Sequence, residues 1–149
     1  MLKRFSRLIG FISLLGMAFT VVADWVAISD ARLILEAELI VYGQYQGQST
    51  LTVGDKALTL NLGVLKPSKI LKGQNTSVIF IQRYQLNAPI RSDMLFLKQG
   101  QEGLWFLRSV PDMQGVYQIM HPSGYKALTE NGEEMQFWQQ QVQNNYQQD

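Results

Sequence analysis

The segment TLTVGDKALTLNLGVL, residues 50–65, decides the fold class of this chain. Its second half alternates aliphatic residues with polar or small ones at a period of two, which is the side-chain period of a β-strand with one apolar face. The aliphatic residues of that half are Leu58, Leu60, Leu62 and Val64. The Gly-Asp-Lys sequence at 54–56 separates two such runs and predicts the turn of a β-hairpin.

Other β-type runs lie on both sides of this hairpin. They are ELIVYGQYQGQ (38–48), TSVIFIQRYQL (76–86), LWFLRSV (104–110) and VYQIMH (116–121). Turn residues at 111–115 and 122–124 bound the last run, and Gly43 and Gly47 inside the first are typical of bulges or barrel corners. Five or so strands joined mostly by short turns predict a small antiparallel β-barrel or sandwich.

A helix is predicted at each end of this β-region. Ser29 or Asp30 can cap a short helix from Ala31 to about Ala37. A C-terminal helix is predicted over 132 to about 144, because Asn131 and Glu134 have capping-box spacing and apolar residues recur on one helical stripe. The stripe residues are Met135, Trp138, Val142 and Tyr146. We expect segment 131–149 to consist of this amphipathic helix and a Gln-rich end. The alternative is that the segment is a disordered polar tail.

The first 23 residues are predicted to be a secretory signal peptide. Lys3, Arg4 and Arg7 precede an uncharged apolar stretch over 8–22, and small residues precede a cleavage site between Ala23 and Asp24. The alternative, an uncleaved membrane anchor, is disfavoured because the stretch is shorter than the roughly 20 residues that span a bilayer. The protein is therefore expected to be periplasmic or secreted and to meet the membrane only during export.

Composition narrows the function classes. Without the leader, which carries three basic residues and no acidic one, the net charge falls from +1 to about −2. A near-neutral chain is poorly suited to nucleic acid, whose binding depends on clustered Lys and Arg. The remaining chain, with the β-region at 24–130, has the length of one domain. It contains no cysteine, so its stability has to come from packing alone.

The segment LKPSKILKG, residues 65–73, raises the question of a basic ligand-binding loop. Pro67 argues against a helix, and in an extended chain Lys66, Lys69 and Lys72 would alternate sides. We therefore expect Pro67 to interrupt the strand and the segment to be a joint of the barrel, with a turn at Lys72 and Gly73. Ligand binding by this segment is the alternative.

Several of these motifs together resemble a known group of domains. These segments are similar to those of a group of secreted bacterial domains, which in turn resemble the OB-fold barrels of netrin-like domains and of tissue inhibitors of metalloproteinases; they are EAELIVYGQY, LNLGVLKPSKILKG, SVIFI, GQEGLWFL and GVYQI. The resemblance covers roughly residues 36–120 and implies an OB-like β-barrel. It does not imply metalloproteinase inhibition, because that family chelates zinc through an N-terminal cysteine and this chain has none.

Catalytic and metal-binding motifs are weak. His121 is the only histidine, and without cysteine it provides too few ligands for an ordinary zinc site. Its position before Pro122 at a strand end is typical of an imidazole bonded to a turn. The neighbouring Ser123 lacks the flanking glycines of a nucleophile elbow. We expect no enzyme activity, no cofactor and no metal.

Aromatic residues are the remaining candidates for ligand contact. Exposed aromatics on an OB-type barrel can stack on bases or sugars. The candidates are Tyr84, Trp105, Tyr117 and Tyr125. Strand alternation predicts that only one of Trp105 and Phe106 faces the core.

These observations give a leading hypothesis and an alternative. The leading hypothesis is a non-enzymatic binding module that docks another envelope or extracellular protein, as an inhibitor or an assembly accessory. The alternative is a barrel that binds a saccharide or small ligand through its exposed aromatics. An enzyme is the third and weakest reading, and the sequence does not fix the oligomeric state.

Overall fold

The computed structural model describes residues 28–53, 58–83 and 95–146 of the chain. The elements in chain order are α1 (Asp30–Glu36), β1 (Leu39–Val53), β2 (Leu58–Lys72), β3 (Ile79–Gln82), β4 (Glu102–Val110), β5 (Met113–Ile119), a 3-10 turn (Pro122–Gly124), β6 (Tyr125–Lys126) and α2 (Glu133–Tyr146). Over these residues the protein is therefore mainly β with two α-helices, as the sequence predicts.

The strands form one sheet that closes in a ring. The order is β1-β2-β3-β5-β4-β6, and β4 also pairs with β1, so that five strands complete the ring and β6 adds to β4. The predicted hairpin of residues 50–65 is confirmed as the antiparallel pair β1–β2, while its turn at 54–57 lies outside the described residues. The prediction of a purely antiparallel sheet is wrong, because β3 and β5 run parallel where the ring closes.

Two buried clusters cover the two faces of β1 and β4. The inner cluster, enclosed by the ring, consists of Leu39, Val41, Tyr45, Leu65, Ile79, Ile81, Trp105 and Leu107. The outer cluster, between these strands and the helices, consists of Leu33, Ile34, Ala37, Ile40, Tyr42, Leu104, Phe106, Met135, Trp138 and Val142. The expectation that only one of Trp105 and Phe106 is buried is wrong. Trp105 belongs to the inner cluster and Phe106 to the outer, and both are fully buried.

Both helices form where they are predicted. Ser29 is the N-cap of α1, and its hydroxyl accepts a hydrogen bond from the Arg32 amide. In α2, Met135, Trp138 and Val142 face the outer cluster, which confirms the predicted apolar stripe for these three residues. The helices therefore form a layer over β1 and β4.

Strand β2 corrects the prediction for the lysine-rich segment. It continues through Pro67 to Lys72, because the pairing with β1 tolerates irregularities that leave Ser68 and Leu71 as extra residues. The three lysines consequently have partners two residues apart: Lys66 pairs with Gln44, Lys69 with Tyr42 and Lys72 with Ile40. Residues two apart on a strand share a face, so the lysines share one too and the predicted alternation is wrong.

Candidate functional site

An open groove of about 620 Å³ lies where the start of α1, strand β6 and the start of α2 meet. Its lining residues are Asp30, Tyr125, Lys126, Ala127, Leu128, Glu133, Glu134, Phe137 and Trp138. We call this surface the α1–α2 groove. It combines an aromatic wall with charged side chains of both signs.

Strand β6 places a lysine in the middle of the groove. Lys126 pairs with Leu104 of β4, whose side chain belongs to the outer cluster. The Lys126 ammonium lies 3.1 Å from the Asp30 carboxylate and 5.4 Å from the centre of the Trp138 ring. This lysine therefore links the first turn of α1 to the aromatic wall through an ion pair and a cation–π contact.

The aromatic wall has a buried part and an exposed part. The Trp138 ring meets the Phe106 ring edge-on, with the centroids 5.2 Å apart, and so is fixed by the outer cluster. Phe137 is next in the chain and lies beside the apolar stripe of α2 instead of on it. Its side chain is 50% exposed, and its ring is 5.7 Å from that of Trp138. Phe137 thus presents a large apolar surface, and its ring is oriented by the contact with the Trp138 ring.

The charge of the groove is negative. Among the described residues that line it, Asp30, Glu133 and Glu134 contribute three carboxylates and Lys126 contributes one cation. Glu133 and Glu134 occupy the first turn of α2, where the helix dipole favours negative charge. Since Lys126 already pairs with Asp30, these two glutamates leave the rim attractive to cationic groups.

The predicted ligand-contacting aromatics that the structure describes, Trp105, Tyr117 and Tyr125, do not form an exposed platform. Trp105 is 0% exposed, and its indole Nε1 donates to the Gly43 carbonyl at 3.0 Å, so the expected exposure of this ring is wrong. Tyr117 is half-buried and packs against the inner cluster. Tyr84 lies outside the described residues, as do Ala23 and Asp24 of the predicted cleavage site, whose assignments stay predictions.

Tyr125 is the predicted aromatic that does line the groove. Its ring lies 4.5 Å from that of Trp105, and its hydroxyl donates to the Glu102 carbonyl at 2.8 Å. Both contacts hold Tyr125 in place beside Lys126. Whether it contacts a ligand stays a prediction.

His121 caps a short turn. Its Nδ1 accepts a hydrogen bond from the Ser123 amide at 3.1 Å and caps the short turn that leads into β6. Within residues 28–53, 58–83 and 95–146, no group of three or more His, Asp or Glu side chains is placed to hold a metal ion. In the same ranges no helix combines the length and apolarity needed to cross a membrane.

Sequence reasoning missed Phe137 and Lys126 as site residues. The helical periodicity that assigns Trp138 to the buried stripe leaves Phe137 off that stripe. The same periodicity therefore predicts an exposed Phe137 side chain. No comparable signal exists for Lys126, because its place in the groove depends on β6, a strand of two residues that the sequence did not predict.

The sequence was compared with known protein families and with curated proteins. A scan against protein-family models and a search of curated proteins found no match to this chain.

Proposed function

We propose that the protein is a non-enzymatic binding module that docks another protein in the α1–α2 groove. The observation that carries this proposal is the half-exposed ring of Phe137, fixed against Trp138 and flanked by Glu133 and Glu134. An aromatic side chain on a rigid wall is the kind of residue that dominates binding energy in protein interfaces. Both an inhibitor and an assembly accessory would need an exposed aromatic surface of this kind.

The groove favours a particular kind of partner segment. An apolar side chain of the partner would cover Phe137, and neighbouring Lys or Arg residues would meet Glu133 and Glu134. The groove is open to solvent, so a helix or an extended segment could enter without rearranging the fold.

The proposed architecture is an OB-like barrel, and the strand order around the ring supports it. The long β1 pairs with both β2 and β4, so the ring closes through one shared strand. The resemblance to netrin-like domains is part of the same proposal, without the metalloproteinase-inhibitor mechanism. A periplasmic or secreted location, in which the partner is an envelope or extracellular protein, follows from the predicted signal peptide.

Affinity purification with matched variants tests the docking proposal. The tagged protein, a Phe137→Ala variant and a Leu35→Ala control are purified from the native cell, and the recovered proteins are quantified by mass spectrometry. Leu35 is also an exposed apolar residue, 62% exposed, but it lies outside the groove. We expect a protein that is recovered with the wild type and the control and is reduced about tenfold with Phe137→Ala, the loss that corresponds to about 1.4 kcal/mol.

Two outcomes of this experiment would contradict the proposal. Equal recovery with all three forms would place the binding surface elsewhere. If no protein is recovered and a glycan array shows binding that Phe137→Ala abolishes, the saccharide alternative replaces it. Within the groove that alternative depends on Phe137 and Tyr125, because Trp105 is enclosed by the ring.

A further inference from the structure

The hairpin β1–β2 extends beyond the ring. Strand β1 pairs with β4 over Leu39–Gln44, and β2 pairs with β3 over Leu62–Leu65. Beyond these limits the two strands pair with each other as far as Val53 and Leu58. Among the described strands, the segment Gln46–Val53 of β1 therefore has one edge paired with β2 from Gly47 onward, with Gln46 as an extra residue, and one edge without a partner strand.

The free edges of this hairpin differ in chemistry. The edge of β2 beyond β3 carries Lys66, Pro67, Lys69 and Lys72. Segment 46–53 of β1 has the sequence QGQSTLTV, with no charged residue and no proline. The lysines that drew attention in the sequence thus lie on one of the two edges and not on the other.

This difference has a physical meaning. A free strand edge presents unpaired N–H and C=O groups that can pair with another strand. Lysines and prolines on an edge oppose such pairing, the former by repulsion and the latter by removing a donor. The edge of β2 is therefore protected, whereas the edge of β1 over 46–53 has no partner strand in the described part of the chain and offers a template for strand addition.

The described chain offers one further uncharged edge on the hairpin, Leu58–Asn61 of β2. This edge is shorter and ends where β3 begins to pair, next to Arg83. The edge of Gln46–Val53 has the greater length and no neighbouring charge within the strand. It is the better template for an added strand.

We infer that Gln46–Val53 pairs with the same segment of a second copy of this chain, as antiparallel strands about a two-fold axis. Two copies of an uncharged edge match in length and do not repel each other, whereas two copies of the lysine edge would. The net charge is small, +1 for the full chain and about −2 without the predicted leader, and adds little long-range repulsion. A two-fold interface of this kind is the commonest arrangement in soluble homo-oligomers.

Sedimentation equilibrium of the purified protein over a range of concentrations tests the inference. We expect a concentration-dependent dimer, and a double variant Gln48→Lys, Ser49→Lys that dimerises at least about tenfold more weakly, because the two-fold axis then brings four added lysines close together. Both side chains are exposed, so the substitutions are compatible with the fold. The matched control is Gln136→Lys, Gln140→Lys, which adds the same charge on the exposed face of α2.

Hydrogen exchange gives a second readout that needs no variant. In the dimer, amides of 46–53 that point away from β2 should exchange more slowly as the protein concentration rises. If the wild-type protein stays monomeric at all concentrations, the inference is wrong. This holds even if a different protein is found to pair with this edge. A dimer that the edge variant and the control affect equally, or one without added protection at 46–53, overturns it as well. None of these outcomes depends on the α1–α2 groove.

Discussion

Trp105 joins the interior of the ring to the backbone of β1. Its ring is fully buried beside Tyr125, and its Nε1 donates a hydrogen bond to the Gly43 carbonyl. Trp105→Phe would remove this hydrogen bond and leave the carbonyl buried. We expect the free energy of unfolding to fall by about 2 to 4 kcal/mol, measured by urea unfolding.

Trp138→Phe is the matched control for this prediction. Trp138 is 6% exposed, and within the described part of the chain its indole nitrogen has no hydrogen-bond acceptor. Replacing Trp by Phe should therefore lower the free energy of unfolding by about 1 to 2 kcal/mol less at Trp138 than at Trp105. Equal losses at both positions would show that the hydrogen bond to Gly43 does not stabilise the fold.

Tyr42 provides a pH-dependent prediction. Burial raises the pKa of Tyr42 to about 12, and the Glu102 carboxylate near its hydroxyl acts in the same direction. In the unfolded chain a tyrosine ionises near pH 10. The neutral side chain in the folded state therefore stabilises the protein fully below about pH 10, and this contribution is lost as the pH rises towards about 12.

Tyr42→Phe tests this prediction, because it removes the ionisable group and keeps the ring. The difference in unfolding free energy between the wild type and this variant should shift against the wild type from pH 10 to pH 12. Absorbance of tyrosinate should also show one late-ionising tyrosine that the variant lacks. Parallel stability curves over this range would contradict the raised pKa.

At the scale of elements, close contact between strands closes the ring. A Cβ added at Gly43 of β1 would lie 2.5 Å from the Lys66 carbonyl oxygen and 2.9 Å from the Pro67 Cα, both backbone atoms of β2. Gly43→Ala should therefore force the strands apart and cost about 2 kcal/mol or more in unfolding free energy. Thermal unfolding followed by circular dichroism measures this loss.

Gly115→Ala is the control for strand contact. An added Cβ at Gly115 meets no atom within 4 Å, but the residue has φ of +78°, so a cost of about 1 kcal/mol from backbone strain alone is expected. If Gly43→Ala costs no more than Gly115→Ala, the close approach of β1 and β2 does not limit the packing.

Lys72 couples β2 to the helical layer. Its ammonium donates to the carbonyls of Ile34 at 2.9 Å and Leu35 at 3.1 Å, in the last turn of α1, where the helix dipole favours a positive charge. Lys72→Met should therefore lower the unfolding free energy by about 1 kcal/mol. The control Lys69→Met alters an exposed lysine of the same strand and should change it by less than about 0.5 kcal/mol. Equal effects would assign Lys72 no role in holding α1.

Local rules predict some of these elements and miss others for physical reasons. The cap at Ser29 and the stripe of Met135, Trp138 and Val142 depend on residues within a few positions, so the sequence was sufficient. The face of Lys69 and Lys72 depends on extra residues in β2 that are accommodated by the partner strand. Periodicity in one strand cannot show where its partner allows a bulge.

At the scale of the whole molecule, the two buried clusters explain why alternation failed as a guide to β4. A strand covered on both faces is apolar at every position, and Leu104, Trp105, Phe106 and Leu107 are all buried. The second cover is the helical layer, which the sequence predicted as a helix laid on the barrel. The α1–α2 groove arises where this layer ends beside β6, and so it depends on long-range packing that no local motif encodes.

Site-specific photo-crosslinking in the native cell tests the docking role of the groove most directly. A photoreactive phenylalanine analogue, which keeps an aromatic ring at position 137, replaces Phe137 in one form and Leu35 in another, so that both probes occupy exposed apolar positions on a helix. We expect a covalent adduct with a defined protein from position 137 and none from position 35. No adduct from position 137, or the same adduct from both positions, would contradict the proposal that this groove docks a partner.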